Sequence, residues 1–381
     1  ELWRTQNRRS TLRPSGIEPN LRIALALLLY GLGLASSGCS ADNTKGTTKD
    51  AELHEAIDSG QSLPIDEGRA DGCLSSDSES TVPVIPPFVS GPPPELFDCT
   101  AKETLPTKRE WVDLSCLLDT NCSSPMVVGH RGVGGNMGTI APENSLIAIR
   151  AAIVMGVDAV ELDIRHTSDD ELVLMHDTTV SRTTYNEGAV TSFSLAELQE
   201  MSLKPPSHPK LMGDFSCAKV PSLSDAFQLT RDRIGIILDT KTERMDLVVP
   251  AILEAGMRDQ VIISVGDHQK ALDARAIDSS VRVQIRPKST EELEELLPLF
   301  ERPPEIIEIP VSVLEEMVEP IRENKARVFT DVWIPDAVAY AEKSGQGYLD
   351  LYELGAEILQ TEYPTQVLQA LGRWTFDPHC P

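Results

Sequence analysis

Two carboxylates in the segment AVELDI have the spacing of metal ligands. Glu161 and Asp163 lie two residues apart in an apolar run that predicts a β-strand, and alternate residues of a strand point to the same side. Their neighbours are apolar and are expected to pack under helices, so the carboxylates should point into the fold, where unpaired charges are costly. Because carboxylate oxygens bind hard divalent cations, the pair indicates half of a cation site.

A third carboxylate and a lysine follow a later apolar run. Asp239 ends the segment IGIILD, and Lys241 lies two residues further along on the same predicted face. With Glu161 and Asp163, Asp239 completes a set of three oxygen ligands, while Lys241 offers a fixed positive charge to an anionic substrate. The spacing therefore predicts a divalent-cation site beside a binding site for an anion.

Two histidines and an arginine also lie at the ends of predicted strands. His130 closes the apolar run MVVGH with Arg131 next to it, and His176 follows the run LVLM. Two imidazoles beside a carboxylate cluster suggest an acid–base pair that works near neutral pH, and an arginine fork suits phosphate oxygens. Together with the cation site, these residues favour phosphoryl transfer.

The elements that must position these residues alternate in type along the chain. Apolar runs alternate with helix-like segments, which predicts an α/β fold, specifically a (β/α)8 TIM barrel whose site lies at the C-terminal ends of the strands. The alternative, a doubly wound open sheet, is disfavoured because no Gly-rich fingerprint follows the first run. The predicted strands are residues 126–130, 159–164, 234–239, 261–265, 281–285, 305–310, 326–330 and 357–361.

One further apolar run does not fit the alternation. LVLMHD starts at Leu172, only a few residues after AVELDIRHT, whereas a parallel crossover needs about a dozen residues or more. We therefore predict that it returns antiparallel, as a small β-hairpin insertion after strand 2.

The N-terminal region carries the features of an exported protein. Arginines precede the apolar run at residues 23–35, whose length suits a signal peptide better than a membrane span. Small residues before Cys39 are similar to a bacterial lipobox, which predicts a lipoprotein-type signal peptide at residues 1–38 and lipidation of Cys39. The chain is then expected to be a membrane-anchored lipoprotein of the bacterial cell envelope. Plain secretion, or a periplasmic location, is the alternative.

Composition divides the remainder of the chain. Residues 39–124 are rich in proline and serine and predict a disordered tether, residues 125–374 form the predicted barrel, and residues 375–381 form a short C-terminal tail. Without Cys39, six cysteines remain, which allow fifteen pairings; Cys116 and Cys122 would close the shortest local loop. The formal net charge of -25 argues against a nucleic-acid partner.

Several short motifs occur in the order typical of one enzyme family. HRG, PENS, VELDIRHTSDDELVLMHD, SRTT, SLAEL, LDTK and GAEILQTEYP resemble successive motifs of the glycerophosphodiester phosphodiesterase family over about residues 126–372. The resemblance implies a TIM barrel that binds Ca²⁺ or Mg²⁺. It also implies hydrolysis of a small-molecule glycerophosphodiester to glycerol 3-phosphate and an alcohol, through a cyclic phosphate formed by the glycerol hydroxyl.

The resemblance also implies roles for single residues. His130 and His176 match the general acid–base positions, and Glu161, Asp163 and Asp239 match the metal ligands. Asp239 stands where many relatives carry Glu, and Glu362 stands where Asp is usual. The substrate-binding positions are Arg131, Glu143, Asn144, Lys241 and Trp333.

Other functions remain open from the sequence. A related barrel could act on lipid head groups as a lysophospholipase D or sphingomyelinase, with Phe193, Leu211 and Met212 as candidates for an apolar lip. An inactive phosphodiester-binding lipoprotein is a second alternative, although the intact histidines and carboxylates argue against it. The proline-rich stretch at residues 86–94 is interpreted as a solvated spacer rather than an interaction module.

Overall fold

Eight parallel strands, each followed by at least one helix, close into a barrel. The computed structural model describes residues 91–102, 112–135, 140–205, 213–342 and 344–374. The strands are β1 (Met126–Gly129), β2 (Ala159–His166), β3 (Leu172–Leu174), β4 (Gly235–Thr240), β5 (Val261–Ser264), β6 (Arg282–Ile285), β7 (Ile306–Glu308), β8 (Arg327–Asp331) and β9 (Ile358–Thr361).

The helices lie between successive strands. Their bounds are α1 (Leu146–Met155), α2 (Leu195–Glu200), α3 (Leu223–Thr230), α4 (Met245–Glu254), α5 (His268–Ile277), α6 (Thr290–Leu296), α7 (Leu314–Glu323), α8 (Trp333–Glu342), α9 (Gln346–Glu353) and α10 (Pro364–Ala370). None of the helices in the described ranges is both long enough and apolar enough to span a bilayer.

The strand pairing confirms the predicted TIM barrel. Strand β1 pairs in parallel with β2 on one side and with β9 on the other, so the sheet closes on itself. All eight predicted barrel strands are present. The hairpin prediction is confirmed as well, because β3 runs antiparallel to β2 with Ile164 opposite Leu174.

The barrel interior changes from apolar to polar along seven of the eight barrel strands; in β6 the inward positions, Arg282 and Gln284, are polar throughout. Because inward positions recur every second residue, an apolar residue in the middle of a strand is followed two residues later by a polar one near its C-terminal end. The apolar interior is made of Met126, Val128, Ala159, Ile237, Ile262, Ile306, Phe329 and Ile358. The polar positions that follow are His130, Glu161, Asp163, Asp239, Ser264, Glu308, Asp331 and Gln360.

The N-terminal end of the barrel is closed by a short 3₁₀ segment, Leu114–Leu117. Cys116 and Leu117 are buried in the same cluster as the barrel interior, and Cys116 forms a disulfide with Cys122, as its loop length suggested. The guanidinium of Arg327, which is fully buried, donates to the Cys116 carbonyl. We name this segment, residues 112–124, the plug.

A second N-terminal segment packs on the outside of the barrel. Phe97 is buried in the main core, Asp98 Oδ2 accepts from the Asp214 amide at 2.8 Å, and a disulfide joins Cys99 to Cys217. The predicted disordered tether at residues 39–124 is therefore wrong for residues 91–102 and for the plug. The prediction was made from the average composition of the region. It gave no weight to a few apolar residues, whose burial depends on surfaces of the barrel. Residues 1–90, including Cys39, lie outside the described residues.

Candidate active site

Three buried carboxylates meet at the C-terminal end of the barrel. Oxygen atoms of Glu161, Asp163 and Asp239 lie within 4.8 Å of one another, and each residue is at most 7 % exposed. Strand pairing explains the meeting, because Asp163 on β2 lies directly opposite Asp239 on β4. Burial, and then the negative charge of Asp163, raise the pKa of Glu161 well above its usual range. The negative charge of an ionised Glu161 would therefore be compensated only in part by the surrounding protein.

Asp163 is held in place by its neighbours. Asn144 Nδ2 donates to Asp163 Oδ2 at 2.8 Å, while the Asp163 amide donates to Asn144 Oδ1 at 3.0 Å. Lys241 Nζ lies 3.3 Å from Oδ1, and Arg131 Nε lies 3.4 Å from Oδ2. Two predicted substrate-side residues thus contact the cluster with their positive charges.

Asp239 carries both of its cationic contacts on one oxygen. Lys241 Nζ at 2.8 Å and Arg286 Nη2 at 3.0 Å both donate to Oδ2, which leaves Oδ1 for another ligand. Burial would raise the pKa of Asp239, but Arg286 and Lys241 outweigh it and hold that pKa below its usual range. Arg286 also donates to Glu308 Oε2 at 2.6 Å, so it links this carboxylate to the β7 side of the barrel.

His130 is oriented by Glu362, which follows the last barrel strand. The Nδ1 atom lies 2.5 Å from Glu362 Oε1, whereas Nε2 lies 3.8 Å from Glu161 Oε2 and faces the carboxylate cluster. Burial lowers the pKa of His130, but the hydrogen bond to Glu362 and the charge of Glu161 outweigh it and raise the pKa to about 9. The amide of Gly135 donates to Glu362 Oε2. A Cβ at this glycine would lie 3.2 Å from Glu362 Oε1 and 3.2 Å from His130 Nδ1.

The backbone of Glu362 is held by Asp336, a buried acidic residue of α8. Asp336 is fully buried and accepts from the Glu362 amide at 2.7 Å and from the hydroxyls of Thr361 and Tyr348, both at 2.7 Å. Burial raises the pKa of Asp336 to about 8 even though three donors favour its charged form. Asp336 therefore fixes the loop that carries Glu362, the partner of His130.

The loop after β1 adopts an uncommon backbone at two site residues. Arg131 and Asn144 both have a φ of 50°, which is unfavourable for residues other than glycine and less so for asparagine. The Asn144 amide donates to the Arg131 carbonyl at 3.0 Å, and the Arg131 amide donates to Glu161 Oε2 at 2.9 Å. These bonds hold the strained turn against the metal-site candidate, as expected at a functional loop.

His176 reaches the site because the β-hairpin returns. The Met175 amide donates to the Asp163 carbonyl at 2.9 Å, which places the next residue, His176, beside the cluster. Arg165, which continues the carboxylate face, donates to the His176 carbonyl at 2.7 Å and to the Lys241 carbonyl at 3.1 Å. The ring nitrogen Nδ1 lies 2.7 Å from Asp177 Oδ1, so Nε2 is the nitrogen that a substrate would meet.

The remaining predicted residues are placed less directly. Glu143 accepts from Arg131 Nη1 at 2.8 Å and orders the site through this bond. Trp333 begins α8 at the same end of the barrel and is 40 % exposed. Phe193 packs partly buried against the core, while Leu211 and Met212, the other proposed lip residues, lie outside the described residues.

Sequence reasoning overlooked several charged residues of this site. In the sequence Glu362 stands out only as a departure from the family pattern, but its place two residues after the inward-facing Gln360 of β9 is a signal for a site residue. Asp177 and Arg182 lie within two of the family-like motifs, which by themselves imply no role for either residue. No local pattern marks Arg286, Glu308 or Asp336, whose side-chain partners lie 12 to 47 residues away in the chain.

Comparison with known proteins gives the family. The profile of the glycerophosphoryl diester phosphodiesterase family matches residues 130–330, which is more than half of the chain. The chain belongs to this family. The matched region contains both histidines and all three carboxylates of the cluster, whereas Glu362 and Trp333 lie beyond it.

Related family members share parts of the sequence. A glycerophosphodiester phosphodiesterase of Caldanaerobacter subterraneus is 31 % identical over 167 residues, which are 42 % of this chain and 65 % of that protein. Human glycerophosphodiester phosphodiesterase 1 is 38 % identical over 115 residues, which are 30 % of this chain and 33 % of that protein. The matches thus span less than two thirds of these relatives' lengths.

Solved structures of family members have the same fold. A glycerophosphoryl diester phosphodiesterase from Parabacteroides distasonis superposes with a TM-score of 0.57 at 23 % identity, covering 70 % of this chain and 93 % of that one. An Oleispira antarctica phosphodiesterase, solved in complex with the product sn-glycerol-3-phosphate, gives a TM-score of 0.55 at 21 % identity and covers 67 % of this chain and 99 % of that one.

Proposed function

We propose that this protein is a metal-dependent phosphodiesterase that hydrolyses glycerophosphodiesters to glycerol 3-phosphate and an alcohol. The observation that carries the proposal is the meeting of three buried carboxylates with two carboxylate-bound histidines at the C-terminal end of a barrel of this family. The Oleispira neighbour with bound sn-glycerol-3-phosphate supports the same product for this chain.

The donor set supports a hard divalent cation, Ca²⁺ or Mg²⁺. Glu161, Asp163 and Asp239 would hold it, because they offer only oxygen ligands and lie close enough together to share one ion. The raised pKa of Glu161 also fits, since a cation would compensate the charge that burial makes costly. When bound, the cation would draw charge from a phosphate oxygen.

The two imidazoles supply proton transfer in this proposal. Both use Nδ1 to donate to a carboxylate, Glu362 for His130 and Asp177 for His176, so both present Nε2 to the substrate. One would remove the proton of the glycerol hydroxyl as it attacks phosphorus to form a cyclic phosphate, and the other would protonate the departing alcohol. Water then opens the cyclic phosphate with the roles of the imidazoles exchanged.

Cationic side chains would hold the phosphate. Arg131 and Lys241 lie at the edge of the cluster, 3.4 Å and 3.3 Å from the two oxygens of Asp163. Their charges would stabilise the additional negative charge that develops on the phosphoryl oxygens during attack. Each positive charge also limits the repulsion between the carboxylates and an anionic diester.

We further propose that the protein is exported and anchored to a membrane of the bacterial envelope through lipidated Cys39. Two disulfides among the described cysteines, Cys99–Cys217 and Cys116–Cys122, support an oxidising compartment. Labelled palmitate should be incorporated into the protein expressed in a bacterium and not into the Cys39→Ala variant. Equal labelling of both would contradict the anchor.

The activity is tested by incubating the purified protein with glycerophosphocholine in EDTA, in Ca²⁺ and in Mg²⁺, and measuring glycerol 3-phosphate and choline. We expect release of glycerol 3-phosphate that needs a divalent ion and is lost in His130→Ala. His268→Ala is the matched control, because His268 is a half-exposed histidine of α5. Turnover of lysophospholipid alone would favour the lipid-acting alternative, and diester binding without turnover would favour a binding protein.

A further inference from the structure

Arg182 pairs with two carboxylates, Glu143 and Asp177, beside the candidate site. Its Nη1 and Nη2 donate to the two oxygens of Glu143 at 2.6 Å and 2.7 Å. Its Nε donates to Asp177 Oδ2 at 2.7 Å, and Nη2 lies 3.1 Å from Asp177 Oδ1. Four hydrogen bonds to two carboxylates engage nearly all of its donors, so Arg182 is not available to bind a phosphate although its side chain is 39 % exposed.

One of the two carboxylates orients a catalytic candidate. Asp177 accepts from His176 Nδ1 at 2.7 Å, which selects the tautomer and the direction of Nε2. His176 and Asp177 are adjacent in a bend of the chain, so Asp177 needs an anchor of its own to fix the ring. The bonds from Arg182 provide that anchor.

The other carboxylate belongs to the loop that carries the first histidine. Glu143 also accepts from Arg131 Nη1 at 2.8 Å, and the Arg131 amide donates to Glu161. Arg182 therefore joins the loop after the hairpin to the loop after β1, across 39 residues of sequence. Isolated surface ion pairs contribute little, but a bidentate guanidinium shared by two loops restricts their relative position.

We propose that Arg182 is a positioning residue that clamps Asp177 to Glu143 and thereby fixes the imidazole of His176 relative to the loop carrying His130 and Arg131. The inference rests on the proposed function, because it concerns the histidine pair of that reaction. It assigns to the arginine of the SRTT motif a role in catalysis without contact with substrate.

The test is a double-mutant comparison of turnover on glycerophosphocholine with Ca²⁺ or Mg²⁺ present. We expect Arg182→Gln to lower kcat by about 10- to 100-fold and to change KM by less than about 3-fold, as for residues that orient a catalytic group. In a His176→Ala background, the same substitution should lower kcat no further, because residues acting as one unit are not additive.

Chemical rescue and a matched control separate positioning from general damage. Millimolar guanidinium should partly restore kcat of Arg182→Ala, and Arg182→Lys should keep part of the activity by pairing with one carboxylate. Arg244→Gln is the control, since Arg244 also pairs with two aspartates, Asp170 and Asp246, and should leave kcat unchanged. The thermal unfolding temperature of each variant shows whether it folds. If Arg182→Gln does not fold, Arg182→Lys replaces it in the comparison with His176→Ala.

Four results would overturn the inference. If the losses of kcat in Arg182→Gln and His176→Ala multiply in the double variant, Arg182 acts independently of His176. A rise in KM alone would make Arg182 a substrate ligand. An Arg182 variant with full turnover would remove any role. Wild-type protein that hydrolyses no glycerophosphodiester would overturn the proposed function and this inference together, whereas an active wild type with multiplying losses overturns the inference alone.

Discussion

At the scale of single residues, the geometry of His130 depends on the charge of Glu362. The carboxylate accepts from Nδ1 and from the Gly135 amide, so it holds both the ring and the loop beside it. We expect Glu362→Gln to lower kcat on the order of 10- to 100-fold with little change in KM, because an amide neither stabilises a protonated ring nor fixes its tautomer.

The control for this prediction is Glu362→Asp, which keeps the charge and is the residue usual in the family pattern. It should retain more activity than Glu362→Gln in the same steady-state assay. Equal turnover of wild type and Glu362→Gln would show that the bond to His130 has no part in the reaction.

The pKa of Asp177 gives a pH-dependent prediction at the same scale. The hydrogen bond from Arg182 lowers this pKa from 3.8 to about 2, against the effect of burial and with a further contribution from His176. Because the folded-state pKa lies below the unfolded value, ionised Asp177 stabilises the fold above about pH 4 and loses this effect as the pH falls towards 2. Asp177→Asn should therefore lower the unfolding temperature at pH 7.

The difference in unfolding temperature between the wild type and Asp177→Asn should then narrow below about pH 4. Thermal unfolding followed by circular dichroism at pH 7, 5, 4 and 3 measures it. A difference that stays constant across this series would contradict the assigned pairing of Asp177 with Arg182.

At the scale of elements, the plug is expected to stabilise the barrel by filling its N-terminal end. Leu117 is 1 % exposed, so Leu117→Ala should lower the free energy of unfolding by about 2–5 kcal/mol, the range for large-to-small core substitutions. Leu118, which is only partly buried, provides the control, and Leu118→Ala should cost less. Urea unfolding gives both values.

The contact between the plug and β4 gives a second, coupled prediction. A Cβ at Gly235 would lie 2.6 Å from Leu117 Cδ2, so Gly235→Ala should destabilise the wild type through crowding. In the Leu117→Ala background the added methyl group finds space, and the same substitution should cost much less. Additive losses in unfolding free energy would show that the two positions do not compete for this space.

The disulfide between Cys99 and Cys217 is expected to hold the outer N-terminal segment on the barrel. It closes a loop with a sequence separation of 118 residues, and the chain-entropy model gives such long loops the larger effects, typically about 2–5 kcal/mol for loss of a native bridge. The double variant Cys99→Ser/Cys217→Ser should therefore unfold at a lower urea concentration than Cys122→Ser. The latter removes the Cys116–Cys122 bridge, whose cysteines are separated by only 6 residues in the sequence. The reverse order would contradict this account.

For the whole molecule, the sequence predicts the barrel because eight apolar runs alternate with helix-like segments. An apolar inward residue followed by a polar one two positions later marks the strand ends, as in Ile237 and Asp239 or Val128 and His130. The same periodicity along the strands predicts from the sequence that Glu161, Asp163 and Asp239 lie close together. The hairpin was predictable because the connection to Leu172 is too short for a crossover.

What escaped prediction depends on long-range partners or on short elements. The helices α2, α3, α9 and α10 have six to eight residues, and such lengths give little periodicity, although the capping boxes at Ser194 and Ser222 were available signals. The plug was missed because its burial needs the open end of the barrel. Arg182 and Arg286 have no local signature, since their roles follow from carboxylates on other strands and loops.

Cation binding and turnover are compared in one set of proteins, because the proposed reaction requires both to depend on the same carboxylates. Ca²⁺ and Mg²⁺ are titrated calorimetrically into EDTA-treated wild type, Asp163→Asn and the control Asp331→Asn, whose carboxylate ends β8 at the same end of the barrel. Glycerol 3-phosphate release is then measured at each ion concentration. We predict one site per chain in wild type and in the control, turnover that rises with its occupancy, and loss of both in Asp163→Asn. Full turnover in EDTA, or unaltered binding and turnover in Asp163→Asn, would contradict the account.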